Sequence, residues 1–264
     1  MPRSGSSVSP QTPSRSLGRA ACGRWALSSA TTFATTAVNS RCPPMASGRA
    51  ESGSSYDATL MALGQWFIER TGLRVRVASG PAELQAVQQL RRHQVDTAGW
   101  EPGSRSTAAE EADDYDHDAV HLAAWDGTEL AGTARVLLPA PGVLLPTEAA
   151  FDLRFEPAGA VVECGRWVVS DGYRDGDHRV SMGLSGLACL EVVSRGYSVW
   201  GGMTTPPIIE LWRGIGVQME TLAPPRTVLG EQRLAVRCDL RASLPGMISV
   251  LGPLGAPVPP DTPV

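Results

Sequence analysis

Apolar and polar positions repeat with two different periods along the middle of this 264-residue chain. From Tyr56 to about Val95 apolar residues recur every three to four positions, as in amphipathic helices, and the short run Leu73–Ala78 separates two such segments. From Ala119 the period becomes two, which is typical of strands, and Asp126-Gly127 joins two of these runs as a tight hairpin turn. The pattern predicts helix, strand, helix and then a central hairpin.

The second half of the chain alternates strands with helices. After a Pro-rich loop that contains Phe151 and Phe155, the apolar runs predict a strand around Ala160–Val169, followed by five further elements. These are a helix over Met182–Arg195, a strand over Tyr197–Met203, a helix over Pro206–Gly214, and strands over Val217–Leu222 and Arg233–Asp239. The complete order predicts an α/β fold of three layers, in which helices cover both faces of a mixed central sheet.

Composition predicts disorder at both ends of the chain. Residues 1–50 hold six arginines and neither Asp nor Glu, so we expect 1–55 to be disordered, or to precede the true start, for which Met45 is a candidate. An Arg-rich, Ser-rich and acid-free segment is also typical of an organellar transit peptide. Six prolines between residues 245 and 263 predict an unstructured tail over 244–264. The expected folded domain is 56–243.

Several functional classes are excluded by composition. All 23 basic residues are arginine, so Schiff-base enzymes and Walker-type phosphate loops, which need lysine, are ruled out. A net charge of −4 without a basic, aromatic stripe argues against nucleic acid as a partner. The five cysteines show no C-x-x-C spacing, which argues against a zinc site or a disulfide framework. No apolar stretch is long enough to span a membrane, and we expect a cytoplasmic protein.

Two charged residues interrupt the apolar run around Ala160–Val169. Charged side chains are rarely buried without a partner or a ligand, so Glu163 and Arg166 need an explanation. In a flat strand they would point to opposite faces, but a bulge at Gly165 would turn both to the same side. We therefore expect an ion pair at a functional site; the alternative is a buried salt bridge with a purely architectural role.

An acidic cluster precedes the hairpin. Six carboxylates fall within residues 110–118, and the ordinary interpretation of such a run is a solvated surface loop. An EF-hand is excluded because its sixth and twelfth positions would be Ala119 and Trp125. The remaining hypothesis is that Asp113 and Asp116 pair with arginines in a closed ion network around a cationic ligand.

An ordered series of motifs resembles the acyl-homoserine-lactone synthases, which have the GNAT acyltransferase fold. The motifs are Arg91, Trp100, Asp113-x-x-Asp116, Arg135, Phe151, Glu163-x-x-Arg166, Met203-Thr204-Thr205 and Leu229-Gly230-Glu231. The resemblance implies that S-adenosylmethionine is a substrate, that no cofactor is bound, and that the product is an N-acyl-homoserine lactone, a quorum-sensing signal. It also implies that the motif residues up to Thr205 bind or transform these substrates.

The resemblance implies a direct acyl transfer. Glu163 would accept the proton of the attacking amine, directly or through one water, with Arg166 and Arg135 beside it. The acyl pocket would lie between the split strands near Val199–Met203 and the helix that follows Pro206. Because the glycine-rich turn is only loosely formed, we expect acyl carrier protein rather than coenzyme A as the donor, contacted by Arg174 and Arg179. The alternatives are an N-acyl amino acid synthase and a non-catalytic acyl-binding relative.

Overall fold

A mixed β-sheet with helices on both faces forms the centre of the molecule. The computed structural model describes residues 53–98, 111–174 and 176–258. Trp100 and residues 1–52 of the segment predicted to be disordered (1–55) lie outside the described residues, whereas residues 53–55 of that segment begin a helix. The helices are α1 (Gly53–Glu69), α2 (Gly80–Ala98), α3 (Pro146–Phe151), α4 (Arg179–Ser194), α5 (Pro206–Gly214) and α6 (Leu240–Leu251). The strands are β1 (Arg74–Val77), β2 (Val120–Asp126), β3 (Glu129–Leu137), β4 (Val161–Val169), β5 (Val199–Thr204), β6 (Glu220–Thr221), β7 (Arg226–Val228) and β8 (Glu231–Asp239).

The strand order across the sheet is β1-β2-β3-β4-β5-β8-β6, and β7 pairs with β8. Neighbouring strands are antiparallel except β4 and β5, which run parallel. The predicted hairpin is confirmed, with Asp126 opposite Glu129 across the turn. The α/β fold with a mixed sheet and two covering layers, predicted from the order of elements, is confirmed as well.

Each face of the sheet has its own apolar core. The larger core lies under α1, α4 and α6 and includes Leu63, Leu184 and Leu244. A smaller cluster around Val87 joins α2 to the sheet, and another around Phe155 lies beside α3. Within the described residues, none of the helices combines the length and the apolar character needed to cross a bilayer.

Two parts of the chain that were predicted to be irregular are helical. The Pro-rich loop contains α3, which begins at Pro146, a residue whose fixed φ suits the first turn of a helix. The prediction of an unstructured tail from Leu244 is wrong for residues 244–251, which belong to α6. In α6, burial of apolar side chains and capping by Asp239, which accepts from the amides of Arg241 and Ala242, offset the hydrogen bond lost at Pro245.

Candidate active site

A β-bulge reshapes the strand that carries the predicted charged pair. In the pairing of β3 with β4, Arg135 lies opposite Gly165 but Thr133 lies opposite Val168, so β4 contains one extra residue. The left-handed conformation falls on Arg166 (φ +53°) and not on the glycine. The predicted bulge is therefore present, one residue further along the strand than expected.

The expected ion pair between Glu163 and Arg166 is wrong. Both carboxylate oxygens of Glu163 accept hydrogen bonds from Thr147, one from its backbone N–H and one from its hydroxyl, each at 2.9 Å. Arg166 instead directs Nη2 towards Glu111 and Asp113, at 2.9 Å each. The two side chains therefore have different partners: Arg166 binds the acidic segment, and Glu163 binds Thr147 of α3.

Glu163 is a buried carboxyl group with an unusual proton affinity. Its side chain is 4% exposed, and this burial raises its pKa to about 7 against the opposing effect of the Thr147 hydrogen bonds. Arg135 also lowers the pKa of Glu163, and the nearby Glu148 raises it. A carboxyl group with a pKa near neutrality can change its protonation state at physiological pH, as a general base must.

The predicted network between aspartates and arginines is present. Arg91 binds Asp116 through two parallel hydrogen bonds of 3.0 and 2.9 Å, and its Nε donates to Glu111 at 2.5 Å. Nη1 of Arg135 lies 2.5 Å from Asp113 and 2.6 Å from Asp116. With Arg166, these contacts join three guanidinium groups to three carboxylates, so the formal charges of the network cancel.

Burial and pairing oppose each other throughout this network. Burial alone would raise the pKa of Asp116, but hydrogen bonds from Arg91 and Arg135 hold it at about 2. Burial also raises the pKa of Asp113, but Arg135 and Arg166 lower it by more, so the pKa of Asp113 is lowered overall. The alternative of a solvated surface loop therefore does not hold for these two aspartates, although Asp114 and Asp118 are exposed.

Two further residues of the network were missed by the sequence analysis. Glu111 was counted only as a member of the acidic cluster, yet it accepts from both Arg91 and Arg166. His121 lies opposite Arg135 in the sheet, is 7% exposed, and has Nε2 3.1 Å from the backbone oxygen of Asp116. Burial lowers the pKa of His121, which favours the neutral form of the imidazole.

Strands β4 and β5 separate directly after Glu163. They pair over three positions only, ending where Glu163 lies beside Gly201, although β4 continues to Val169 and β5 to Thr204. The gap opens into a cavity of about 380 Å³. Its walls include Cys164, Gly165, Arg166 and Trp167 from β4, the segment 200–205, Leu63, Gly64 and Phe67 from α1, Ser181, Met182, Ser185 and Cys189 from α4, and Ile208, Leu211 and Trp212 from α5.

The walls of this cavity are mostly apolar. Trp212 contacts Trp167 and Trp200 edge to face, with ring centroids 6.5 and 6.3 Å apart. Burial raises the pKa of the Cys164 thiol well above its usual value, which favours a packing role for this residue over a nucleophilic one. The cavity can therefore accept an aliphatic or aromatic chain. A covalent bond between that chain and Cys164 is not expected.

The remaining predicted site residues fall in different places. Met203, Thr204 and Thr205 line the cavity, and their predicted contact with a substrate stays a prediction. Phe151 is 2% exposed, and the guanidinium of Arg226 lies over its ring, 5.7 Å from the centroid. Phe151 is not among the residues that line the cavity, so its predicted substrate contact stays a prediction.

The two predicted donor contacts lie around the start of α4. Nη1 of Arg174 is 3.1 Å from Asp171, and its Nε donates to the backbone oxygen of Val169. Arg179 is the first residue of α4 and has Nε 3.7 Å from Asp177. Both side chains are more than a third exposed, as a surface contact requires, but each already lies beside a carboxylate.

A family model described as the acetyltransferase (GNAT) domain matches residues 92–183. None of the curated proteins searched matches the chain. Among solved structures, the AHL synthase LasI is similar with a TM-score of 0.55 and 16% sequence identity, over 68% of this chain and 95% of LasI. BjaI, a CoA-dependent acyl-homoserine lactone synthase solved with SAM and isopentyl-CoA, gives 0.52 and 23%, over 70% and 90% of the two chains.

A third similar structure belongs to a different kind of synthase. FeeM, an N-acyl amino acid synthase from uncultured soil microbes, gives a TM-score of 0.53 at 10% identity, over 68% of this chain and 97% of FeeM. At these identities the likenesses establish the fold. The GNAT-like fold that the motif series implied is thereby confirmed, and it is a fold that this chain shares with acyl-homoserine-lactone synthases.

Proposed function

We propose that this protein is an acyltransferase that moves a fatty acyl chain from an acyl carrier protein to the amine of S-adenosylmethionine, giving an N-acyl-homoserine lactone. The observation that carries the proposal is the position of Glu163. This carboxyl group, with a pKa of about 7, lies at the last paired position before β4 and β5 open into an apolar cavity. Glu163 is not itself among the residues that line the cavity, but the next residue, Cys164, is, and this proximity supports a role of Glu163 beside the acyl chain.

In the proposed reaction, the amine attacks the thioester carbonyl while Glu163 takes its proton. Because both oxygens of Glu163 already accept from Thr147 and the side chain is 4% exposed, a single water is the natural relay between the carboxylate and the amine. Backbone amides of β4 beyond its last pair with β5 are candidates for stabilising the developing oxyanion. Collapse of the tetrahedral intermediate then breaks the carbon–sulfur bond and releases the donor thiol.

The apolar cavity is the proposed site of the acyl chain. Its volume of about 380 Å³ falls within the usual range of small-ligand pockets, about 300–1,000 Å³. Each methylene that leaves water contributes about 0.8 kcal/mol, so a chain that fills the cavity binds more tightly than a short one. Arg174 and Arg179, exposed at the start of α4, are the proposed contacts for the acidic surface of acyl carrier protein.

The ion network would hold the segment that faces the acceptor. Arg91 and Arg135 fix Asp116 from two elements, α2 and β3, and Arg166 ties Asp113 to the strand that carries the proposed base. In the second step proposed here, the acceptor's carboxylate displaces methylthioadenosine from the γ-carbon, which closes the lactone. This step needs the methionyl chain to be held in a folded conformation.

A second candidate function is the acylation of an amino acid. Two observations favour this second function. The TM-score of the similarity to FeeM is as high as that of the similarity to BjaI. The charges of the ion network also cancel without a cationic ligand. The two functions differ in their products. Only the lactone-forming reaction releases methylthioadenosine.

Mass spectrometry of the products tests the proposal. The protein is incubated with octanoyl acyl carrier protein and S-adenosylmethionine, and in parallel with octanoyl-CoA. We expect N-octanoyl homoserine lactone and methylthioadenosine in equal amounts, formed faster from the carrier-protein thioester. Faster turnover of octanoyl-CoA would reassign the donor, and acylated amino acid without methylthioadenosine would favour the second function.

A further inference from the structure

One arginine of the cavity wall was not singled out by the motif series. Arg233 lies on β8, next to Leu234, which pairs with Thr204 at the end of β5. Its side chain is 15% exposed, and it lines the same cavity as Arg166. A guanidinium group in a mostly apolar wall has a high desolvation cost, which a ligand with negative charge would offset.

We propose that Arg233, together with Arg166, binds the carboxylate of the acceptor, so that the acceptor must be an amino acid or a derivative that keeps its carboxylate. This inference rests on the proposed function, because it concerns the amine that receives the acyl group. An α-amino acid carries its amine and its carboxylate on one carbon. A cation for the carboxylate is therefore needed beside the site at which the amine reacts, and Arg166 follows Glu163 by three residues on the bulged strand.

The electrostatics of the two arginines agree with an anionic ligand. Burial lowers the pKa of Arg233, the charge of Glu231 raises it, and the positive charge of Arg166 lowers it, so the two guanidinium groups are close enough to repel. Nε of Arg166 is buried and has no hydrogen-bond acceptor among the described residues. A carboxylate between the two groups would relieve the repulsion and accept from Nε of Arg166.

The ion pair between Arg233 and Glu231 can be broken at small cost. Nη2 of Arg233 lies 3.0 Å from Glu231, whose side chain is 39% exposed. Ion pairs with an exposed member contribute about 0–1 kcal/mol, so Glu231 can turn to solvent when a better-placed carboxylate enters. Two arginines offer the fork geometry that suits carboxylates, and this geometry is lost if either is replaced by glutamine.

Matched acceptors with and without the carboxylate test the inference. We would measure kcat/KM for acyl transfer to S-adenosylmethionine and to its decarboxylated form, in the wild-type protein, in Arg233→Gln and in Arg233→Lys. The wild-type protein should favour the carboxylate-bearing acceptor by about 10- to 100-fold, as expected for the loss of charge-assisted hydrogen bonds. Arg233→Gln should lose most of this preference through a higher KM, and Arg233→Lys should keep part of it.

Arg237→Gln is the matched control. Arg237 lies four residues further along β8, binds Glu220 at 2.6 Å, and is not among the residues that line the cavity. The Arg237→Gln variant should leave the acceptor preference unchanged. Thermal unfolding would verify that every variant is folded. A preference that survives in Arg233→Gln, or a wild-type protein that accepts both forms equally, would overturn the inference.

The two proposals fail in different ways. If neither form of S-adenosylmethionine is acylated but an L-amino acid is, the proposed acceptor is wrong, and the same comparison of that amino acid with its decarboxylated amine then decides the role of Arg233. Acylation of the amine without its carboxylate at an equal rate would count against Arg233 alone. Failure to acylate any amine would overturn both proposals.

Discussion

Thr147 donates two hydrogen bonds to Glu163, one from its backbone N–H and one from its hydroxyl, and thereby fixes both oxygens of a buried carboxylate. The contact joins α3 to β4 across 16 residues. Neither residue is exposed by more than 4%. The orientation of the proposed base therefore depends on α3, a short helix whose residues are not among those that line the cavity.

Replacement of Thr147 by valine should raise the pH at which the enzyme becomes active. The hydroxyl stabilises the ionised form of Glu163, so its loss should raise the pKa of Glu163 above about 7. We expect the midpoint of the pH–kcat profile to move up by about 0.5–1 unit, since a charge-assisted hydrogen bond is worth about 1.5–3 kcal/mol and only part of it is lost. Thr147→Ser, which keeps the hydroxyl, should retain the wild-type midpoint; equal midpoints in all three proteins would exclude this role of Thr147.

The stability of the fold should fall as the pH rises towards neutrality. In the unfolded chain Glu163 ionises near 4.5 and in the folded protein near 7, so between these values the unfolded state releases a proton that the native state retains. The free energy of unfolding should decrease by about 3 kcal/mol over this window relative to Glu163→Gln, and stay level above it. Urea denaturation of both proteins at pH 4.5, 6 and 8 measures the difference; parallel curves would contradict the buried, raised pKa.

Loss of Asp116 should be the most damaging single change in the ion network. Asp116→Asn leaves Arg91, which is 2% exposed, without its bidentate partner, and breaking a buried pair costs about 3–5 kcal/mol. Because the pKa of Asp116 is held at about 2, its contribution is complete above pH 3.8 and disappears only as the pH falls towards 2.

Urea denaturation at pH 7 would measure this loss. Asp118→Asn is the control, since Asp118 is 93% exposed and should change stability by less than about 0.5 kcal/mol. Equal effects of the two substitutions would mean that the network does not stabilise the fold.

Filling the cavity should shorten the acyl chain that the protein accepts. Ser185 is buried on α4, lines the cavity and bonds its own helix at Ser181, so Ser185→Met places extra side-chain atoms in the proposed acyl site. Each methylene excluded from the cavity should cost about 0.8 kcal/mol, or about fourfold in KM, for dodecanoyl but not for butanoyl thioesters. Ser194→Met, at an exposed position near the end of the same helix, should leave the KM for both thioesters unchanged. A loss of activity in Ser185→Met that is equal for both chain lengths would argue against this location of the acyl chain.

Elements with strong local signals were predictable from sequence. The turn at Asp126-Gly127 needs a residue with positive φ, and Gly127 supplies it at +57°. α5 begins at Pro206 and ends at Gly214, as its local sequence indicates. In contrast, α6 is stabilised by tertiary burial of Leu244 and Leu251 against the rest of the core, which a count of prolines does not detect.

The partners within the site were harder to predict than its members. Glu163, Arg166, Asp113, Asp116 and Arg135 were identified as a group, and all five lie on β3, β4 or the acidic segment around the bulge. Their pairing depends on which residue of the bulge takes the left-handed conformation. Glycine adopts this conformation most easily, so the sequence favours Gly165, but in the structure Arg166 adopts it. Thr147 gave no signal because its segment showed no periodic pattern.

The activity of Glu163→Gln tests the central claim most directly. Glutamine keeps the size of the side chain but cannot accept a proton, so acyl transfer from octanoyl acyl carrier protein to S-adenosylmethionine should fall by about 10²–10⁴-fold, while the dissociation constant for S-adenosylmethionine changes little. Glu129→Gln, exposed at the hairpin turn, should behave as the wild-type protein. Turnover by Glu163→Gln at the wild-type rate would show that this carboxylate is not the base.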